Sequence, residues 1–221
     1  MKKIFLMAAV AFCSIQSYAQ ISFGGQIGVN LGMGQNNVNA VTAAITNDPK
    51  VGFEIGAVAD IHIFGKLDFR PELNFVQKGS KAGAYYAGGS YYAYSVKRTL
   101  NYFELPLNVV YKMSFNGSKN QLFFGAGPSF GVGLFGADKP ANGSKVTIKF
   151  DDNSNSNASD EHLKRLDIGV NILAGYQLDM GVFARVSYTH GLPDIDPENN
   201  KTYRNRGVSL TIGYMLGSKK K

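Results

Sequence analysis

Alternation of apolar and polar residues with a period of two runs through most of the chain after Ile21. In Leu67–Phe75, the odd positions are Leu, Phe, Pro, Leu and Phe, and the even positions are Asp, Arg, Glu and Asn. Successive side chains of a β-strand point to opposite faces, so this pattern predicts strands whose two faces meet different surroundings. The segments we predict as strands are Ile21–Gly32, Gly52–Phe64, Lys66–Lys78, Arg98–Met113, Gln121–Phe135, Arg165–Leu178, Gly181–Thr189 and Asn205–Leu216.

The apolar face of these strands is predicted to point outward into lipid. A soluble lipocalin-like barrel would instead turn its apolar face inward. The polar face, however, is rich in Gly and Ser, which suit a cramped interior, and the apolar face carries aromatic residues near both strand ends. Two aromatic girdles are typical of a barrel in a bilayer, because amphipathic rings favour the interface. The predicted girdle residues are Phe53, Phe75, Phe103, Phe130 and Tyr188 at one rim, and Tyr111, Tyr176 and Tyr214 at the other.

Loop lengths favour the same architecture. The connections after the second, fourth and sixth predicted strands are short, and the other connections are long and polar. Outer-membrane barrels have short periplasmic turns and long extracellular loops. The sequence therefore predicts an all-β fold, an eight-stranded antiparallel up-and-down transmembrane β-barrel, integral to a bacterial outer membrane with both mature termini in the periplasm.

The N-terminus has the features of an export signal. Lys2 and Lys3 precede a short apolar run, and Ser17-Tyr18-Ala19 forms a small-x-small cleavage site. We predict a signal peptide at 1–19 with cleavage between Ala19 and Gln20, a barrel domain at 20–218, and a basic tail at 219–221. The single cysteine, Cys13, then lies in the removed segment, so the mature chain is expected to have no disulfide and no thiolate metal site.

The net charge of +7 does not indicate a nucleic-acid partner. Nucleic-acid-binding proteins gather basic residues on one face or helix, whereas here they are scattered through strands and loops. The expected partners are outer-membrane lipid and a protein at the extracellular loops or in secretion machinery.

An eight-stranded barrel has an interior that side chains fill, so we expect a closed lumen. Charged residues there survive only when they are paired and hydrogen-bonded. If the second hairpin turns about Gly65, Asp60 faces Arg70 and His62 faces Asp68. The predicted interior charge network consists of Glu54, Asp60, Asp68, Arg70, Glu72, Glu104, Arg165, Asp167 and Arg185.

Catalytic and ligand-binding motifs are largely missing. His190 lies near Asp194 at the predicted outer rim, but no nucleophile accompanies them, and the acidic loop segments lack the spacing of an EF-hand. We therefore predict no catalytic residue, cofactor or metal. A rim enzyme around His190 and a narrow channel are the alternatives to a non-enzymatic barrel. The tyrosine-rich segment 85–94 is either a binding surface or a hairpin that extends two strands above the membrane.

Particular segments carry a family resemblance. They are Phe69-Arg-Pro-Glu-Leu-Asn-Phe-Val-Gln-Lys-Gly79, Asn101-Tyr-Phe-Glu-Leu-Pro-Leu107, Phe124-Gly-Ala-Gly-Pro128, Tyr188-Thr-His-Gly-Leu192 and Asn205-Arg-Gly-Val-Ser-Leu-Thr-Ile-Gly-Tyr214. They resemble the PorT-type outer membrane β-barrel family of Bacteroidota, and the Ala19-Gln20 junction is typical of that phylum. The resemblance implies a porin-like, eight-stranded outer-membrane barrel. One member type of that family supports type IX secretion, so a structural, adhesive or secretion-accessory role is expected.

Overall fold

The computed structural model describes residues 21–38, 47–87, 90–114, 118–141, 143–151, 160–197 and 201–216. The predicted signal peptide with Ala19 and Gln20, and the predicted tail at 219–221, lie outside these residues and stay predictions. The strands are β1 (Ile21–Gly32), β2 (Gln35–Val38), β3 (Asn47–Phe64), β4 (Leu67–Lys78), β5 (Ser80–Ala87), β6 (Ser90–Ser114), β7 (Gln121–Pro140), β8 (Val146–Phe150), β9 (Asp160–Leu163), β10 (Leu166–Gln177), β11 (Val182–Gly191), β12 (Lys201–Arg204) and β13 (Arg206–Leu216). Within the described residues, no helix has the length and apolar character to cross a membrane.

Eight long strands close into a ring. Each pairs with its neighbour antiparallel in the order β1, β3, β4, β6, β7, β10, β11 and β13, and β13 pairs back with β1. The predicted eight-stranded up-and-down barrel is confirmed. Because no sheet edge is left within the ring, every barrel strand has both ladders of backbone hydrogen bonds available, as a spanning strand requires.

The two ends of the barrel differ. At one end, called the turn end, short connections join β3 to β4, β6 to β7 and β10 to β11. Gly65 and Gly181 occupy two of these turns with φ values of 60° and 96°, which L side chains rarely adopt. At the opposite end, called the loop end, the connections contain β2, β5, β8, β9 and β12.

The loop end is built from β-structure beyond the predicted strands. β3, β6 and β7 start earlier or end later than predicted, because β5 pairs with β3 and β6, and β8 pairs with β7. β8 and β9 pair in parallel, and β2 and β12 form a separate two-stranded sheet. The tyrosine-rich segment is the hairpin between β5 and β6, with Tyr85 opposite Tyr92. β8 does alternate from Val146 to Phe150, but its five residues are fewer than a membrane strand needs. The other added segments, β2, β5, β9 and β12, show no such alternation, so the pattern does not reveal them.

The apolar face points outward and the polar face inward. Leu73, Ile172 and Leu210 are exposed on the outer wall, whereas their strand neighbours Glu72, Asn171 and Ser209 are buried. The barrel strands thus carry an outward band of aliphatic side chains. In water, only a second layer of protein could bury this band, so it is stable only in contact with lipid.

Candidate functional site

The turn half of the lumen is occupied by an ion-pair group on β3, β4 and β6. The Arg70 guanidinium donates two hydrogen bonds to the Asp60 carboxylate, at 2.6 Å and 2.8 Å. Lys112 Nζ lies 2.6 Å from Asp60 and 2.7 Å from Asp68, and His62 Nδ1 lies 2.9 Å from Asp68. Arg70 is completely buried, and its guanidinium also stacks over the Phe123 ring at 4.4 Å. The register pairs His62 with Asp68, as a hairpin turning about Gly65 requires.

The middle of the lumen is centred on Arg185. Its guanidinium contacts Glu72 through one nitrogen and lies 3.0 Å from Glu54 through the other. Glu72 also accepts hydrogen bonds from the side chains of Gln26 at 2.9 Å and Asn74 at 3.1 Å. Arg185 therefore links two buried carboxylates that come from different strands.

The loop half of the lumen is centred on Lys78, a residue that is not in the predicted interior charge network. Lys78 Nζ lies 3.1 Å from Glu104 and 3.4 Å from Asp167. Ser129 donates to Glu104 at 2.9 Å, and Asn205 donates to Asp167 at 2.9 Å. The alternation of side chains could have identified Lys78 as inward-facing, because Lys78 shares the even-numbered positions of β4 with Arg70 and Glu72. In the sequence it resembles a loop residue, because it is the last residue of the strand and adjoins Gly79.

Arg165 does not belong to the lumen, and its assignment to the interior network is wrong. Its side chain is exposed, and its guanidinium donates to the Phe150 carbonyl at 3.0 Å and 3.2 Å. The physical reason is local. The chain bends at Arg165 before β10 begins at Leu166, so the parity that places Asp167 inward does not extend to Arg165.

Side chains fill the lumen almost completely. A cavity of about 110 Å³ opens at the turn end beside Asp68 and Lys112, whereas the cavity between Glu54, Glu104 and Arg185 in the middle of the lumen measures about 10 Å³. A void of this size holds about one water molecule. Among the described residues, the middle of the lumen leaves no room for a diffusing solute.

A loop-end cap lies above Lys78. We use this name for a buried apolar cluster from β6, β8, β9, β12 and the segment after β11. Its members are Leu100, Tyr102, Ile148, Phe150, Leu163, Ile195 and Tyr203. Tyr102 joins the cap to the lumen, because Lys78 Nζ lies 5.2 Å from its ring centroid and Asn205 donates to its hydroxyl at 3.2 Å.

Arg98 holds the cap together electrostatically. Its guanidinium contacts Asp138 at 2.6 Å and Glu161 at 2.5 Å, and the guanidinium carbon Cζ lies 4.9 Å from the Tyr203 ring centroid. One guanidinium thus pairs with two carboxylates that come from different strands at the loop end. Burial raises the pKa of the Glu161 carboxyl, Arg98 opposes that shift, and the neighbouring Asp138 adds to it.

Glu161→Gln is expected to stabilise the protein increasingly as the pH rises. A carboxyl whose folded-state pKa is raised contributes stability that is fully present below its unfolded pKa and is lost as pH rises through the folded value. The substitution removes that loss while Asp138 keeps Arg98 paired. Thermal unfolding of the refolded barrel between about pH 4 and pH 8 should show matching midpoints in acid and a higher midpoint for the variant above it. Asp160→Asn, whose pair with Lys149 is solvent-exposed, is the control. Parallel pH profiles for wild type and Glu161→Gln would contradict this.

The predicted girdle residues all lie on the outward wall. At the loop-end rim, Phe53 and Phe75 are 5.6 Å apart between ring centroids, and Phe75 and Phe103 are 6.0 Å apart. Phe130 and Tyr188 lie further round the same rim. At the turn-end rim are Tyr111, Tyr176 and Tyr214, and Lys66 Nζ lies 6.0 Å from the Tyr111 ring centroid.

His190 and Asp194 have different partners. His190 Nδ1 lies 3.0 Å from the Tyr188 hydroxyl, whereas Asp194 Oδ1 accepts the backbone N–H groups of Asp196 and Tyr203. Asp194 thereby fixes the chain that leads into β12. Among the described residues, no three of His, Cys, Asp and Glu come together in a way that could hold a metal ion.

Comparison with known proteins gives a family and several structural neighbours. The model of the outer membrane protein beta-barrel domain matches residues 16–196. No curated protein matches the chain. Neisserial surface protein A is 15% identical with a TM-score of 0.45, covering 88% of this chain and 97% of that one. Ail, the attachment invasion locus protein of Yersinia pestis, in complex with the heparin analogue sucrose octasulfate, is 11% identical with a TM-score of 0.42, covering 89% and 99%. OprG from Pseudomonas aeruginosa is 12% identical with a TM-score of 0.46, covering 89% and 94%.

The family match spans most of the chain and agrees with the closed ring, the outward apolar wall and the charged interior. The chain belongs to the outer membrane protein beta-barrel domain family and is an integral protein of the outer membrane.

Proposed function

We propose that this protein is a non-enzymatic, non-conducting barrel that presents its loop-end β-structure to a macromolecular partner, in an adhesive, structural or secretion-accessory role. One observation carries the proposal. The lumen is filled by paired charges and lies beneath the loop-end cap, so the surface above the membrane is the part that can engage a partner.

The described part of that surface is already organised as β-structure. It consists of three β-structures: the β5–β6 hairpin, the β8–β9 pair and the β2–β12 sheet. The hairpin continues the barrel strand β6, and β8, β9 and β12 contribute residues to the loop-end cap. A surface with its backbone already hydrogen-bonded loses little conformational entropy on binding, which favours affinity. Long unstructured loops would lose more.

The loop end is proposed to face the exterior. In outer-membrane barrels, long connections are extracellular and short turns are periplasmic. β1 begins and β13 ends at the turn end, which would place both mature termini in the periplasm. The resemblance to the PorT-type family adds a secretion machine to the candidate partners.

Two measurements test this proposal. Ser144→Cys at the loop end should react with a membrane-impermeant maleimide on intact cells, whereas Ser118→Cys at the turn end should react only after lysis. Replacing 84–93 of the β5–β6 hairpin by Asn-Gly should then remove crosslinks to the native partner in outer membranes while leaving the barrel folded. Labelling of Ser118→Cys alone on intact cells would reverse the orientation, and unchanged crosslinks would remove the hairpin from the interface.

The alternatives predict different results. A narrow channel would give stepwise conductance in planar bilayers, and a rim enzyme would lose lipid-modifying or proteolytic activity on His190→Ala. We expect silence in bilayers, because the cavity in the middle of the lumen is only about 10 Å³. We expect unchanged behaviour of His190→Ala, because His190 contacts Tyr188 and not a carboxylate in the contacts described.

A further inference from the structure

Three lysines form a row across neighbouring strands at the loop end. Lys81 on β5 is the direct cross-strand partner of Lys97 on β6, and Lys97 is the direct partner of Lys139 on β7. We call Lys81, Lys97 and Lys139 the lysine row. All three side chains are exposed.

The lysine row faces away from the barrel axis. Each lysine is next to a buried residue of its own strand, namely Ser80, Val96 and Asp138. Since side chains alternate along a strand, the buried neighbours point inward and the lysines point outward. They therefore lie on the same wall as the aromatic girdle, and not above the lumen.

Like charges directly opposite each other on a sheet are destabilising. Asp48 on β3 is the partner of Lys81 on the far side, so one carboxylate adjoins the row. Nevertheless, in the part of the chain that the structure describes, no ion pair within 4 Å is formed by Lys81, Lys97 or Lys139. Arg70, Lys78, Arg98 and Arg185 inside the protein are all paired, whereas the row is a concentration of positive charge with only Asp48 beside one of its ends.

The height of the row indicates which anion it meets. Lys97 lies six residues beyond Phe103 of the girdle, and Lys139 lies four residues beyond the exposed Phe135. A strand that rises about 3.3 Å per residue at a tilt of about 40° places the lysines roughly 10–15 Å above those aromatic rings. The polar layer of a phospholipid leaflet is only about 5–8 Å thick. A headgroup built from several sugars is taller and reaches this level.

We infer that the lysine row binds the phosphate groups of an anionic glycolipid in the outer leaflet, at the lateral wall of the barrel. This inference goes beyond partner presentation and rests only on the proposed orientation of the loop end. The row would fix bound lipid beside the β5–β6 hairpin. Three cations at the spacing of neighbouring strands suit a headgroup that carries more than one phosphate.

Native mass spectrometry of the detergent-solubilised protein tests the inference, with a lipopolysaccharide that carries a phosphorylated core oligosaccharide as the probe. The double variant Lys97→Gln/Lys139→Gln is compared with Lys66→Gln/Lys119→Gln, which removes two exposed lysines from the turn end. We expect the row variant to bind about thirtyfold more weakly, since each lysine near an anionic surface contributes roughly fivefold, and the control to bind like wild type. Binding of wild type should also weaken with added salt.

Several outcomes would overturn the inference. Equal losses in both double variants would mean nonspecific attraction, and unchanged binding of the row variant would remove the row from the site. Equal binding of the same lipopolysaccharide after removal of its core phosphates would exclude phosphate recognition. Equal binding of a water-soluble phosphorylated oligosaccharide would assign the row to a soluble polyanion. Because this assay is done in detergent, reversed labelling of Ser144→Cys and Ser118→Cys in cells would refute the orientation separately.

Discussion

Arg185→Met is expected to lower the free energy of unfolding by about 3–5 kcal/mol. Removing the guanidinium leaves both Glu54 and Glu72 without a cation in the buried middle of the barrel. A buried charge without its partner is far more costly than the loss of the pair itself. Removal of Arg70 should cost less, because Lys112 still lies 2.6 Å from Asp60.

Urea unfolding of the refolded barrel in lipid vesicles measures this ranking. The triple variant Arg185→Met/Glu54→Gln/Glu72→Gln should recover most of the loss, because neutral amides can stay hydrogen-bonded to Gln26 and Asn74. Arg204→Ala, at an exposed position on β12, should change stability by less than about 0.5 kcal/mol. If Arg70→Met were more destabilising than Arg185→Met, the two-carboxylate explanation would be wrong.

Leu210→Arg is expected to cost about 2–4 kcal/mol in a bilayer. Leu210 is 59% exposed on the outward wall of β13, between Val208, the cross-strand partner of the girdle residue Tyr188, and Tyr214 of the opposite girdle. At this depth an arginine loses its hydration to the hydrocarbon core. In a water-soluble barrel the same exposed position would accept arginine freely.

The control for depth is Leu216→Arg. Leu216 is equally exposed but lies at the end of β13, where an arginine reaches the interface and should cost about 0–1 kcal/mol. Both variants are measured by reversible unfolding from vesicles, beside Leu210→Phe, which keeps the apolar surface. Similar costs for Leu210→Arg and Leu216→Arg would contradict an apolar band of finite height.

The barrel and much of its interior could be predicted because period-two alternation carries two kinds of information at once. It fixes strand positions, and together with a turn at Gly65 it fixes the pairing of Asp60 with Arg70. The alternation of inward and outward side chains is lost where the strand itself ends or bends. That explains the wrong assignment of Arg165, while Lys78, whose parity was correct, was missed because it adjoins Gly79.

The loop-end cap could not be predicted for a different reason. Arg98, Asp138 and Glu161 come together from three strands, and both carboxylates lie beyond the segments predicted as strands. Their contacts depend on loop pairings between distant parts of the chain, and single-sequence patterns report only local faces. The lysine row is similar, since only the register of β5, β6 and β7 makes the three lysines neighbours.

The pairing of β13 with β1 sets the order in which this barrel can be completed. The closing ladder runs from Phe23 opposite Leu216 to Gly32 opposite Gly207, so it joins strands from opposite ends of the described chain. Until it forms, β1 and β13 are open edges that can pair with any other strand. Contacts of such long sequence separation form slowly, because loop-closure entropy must be overcome first.

The same junction also leaves little tolerance for error. A Cβ atom added at Gly28 would lie 2.6 Å from the Leu210 carbonyl oxygen, so backbone meets backbone there with no side chain between. A chain waiting for its last strand is thus an aggregation-prone open sheet with adhesive edges. The pairing of β13 with β1 removes the last two open edges of the ring.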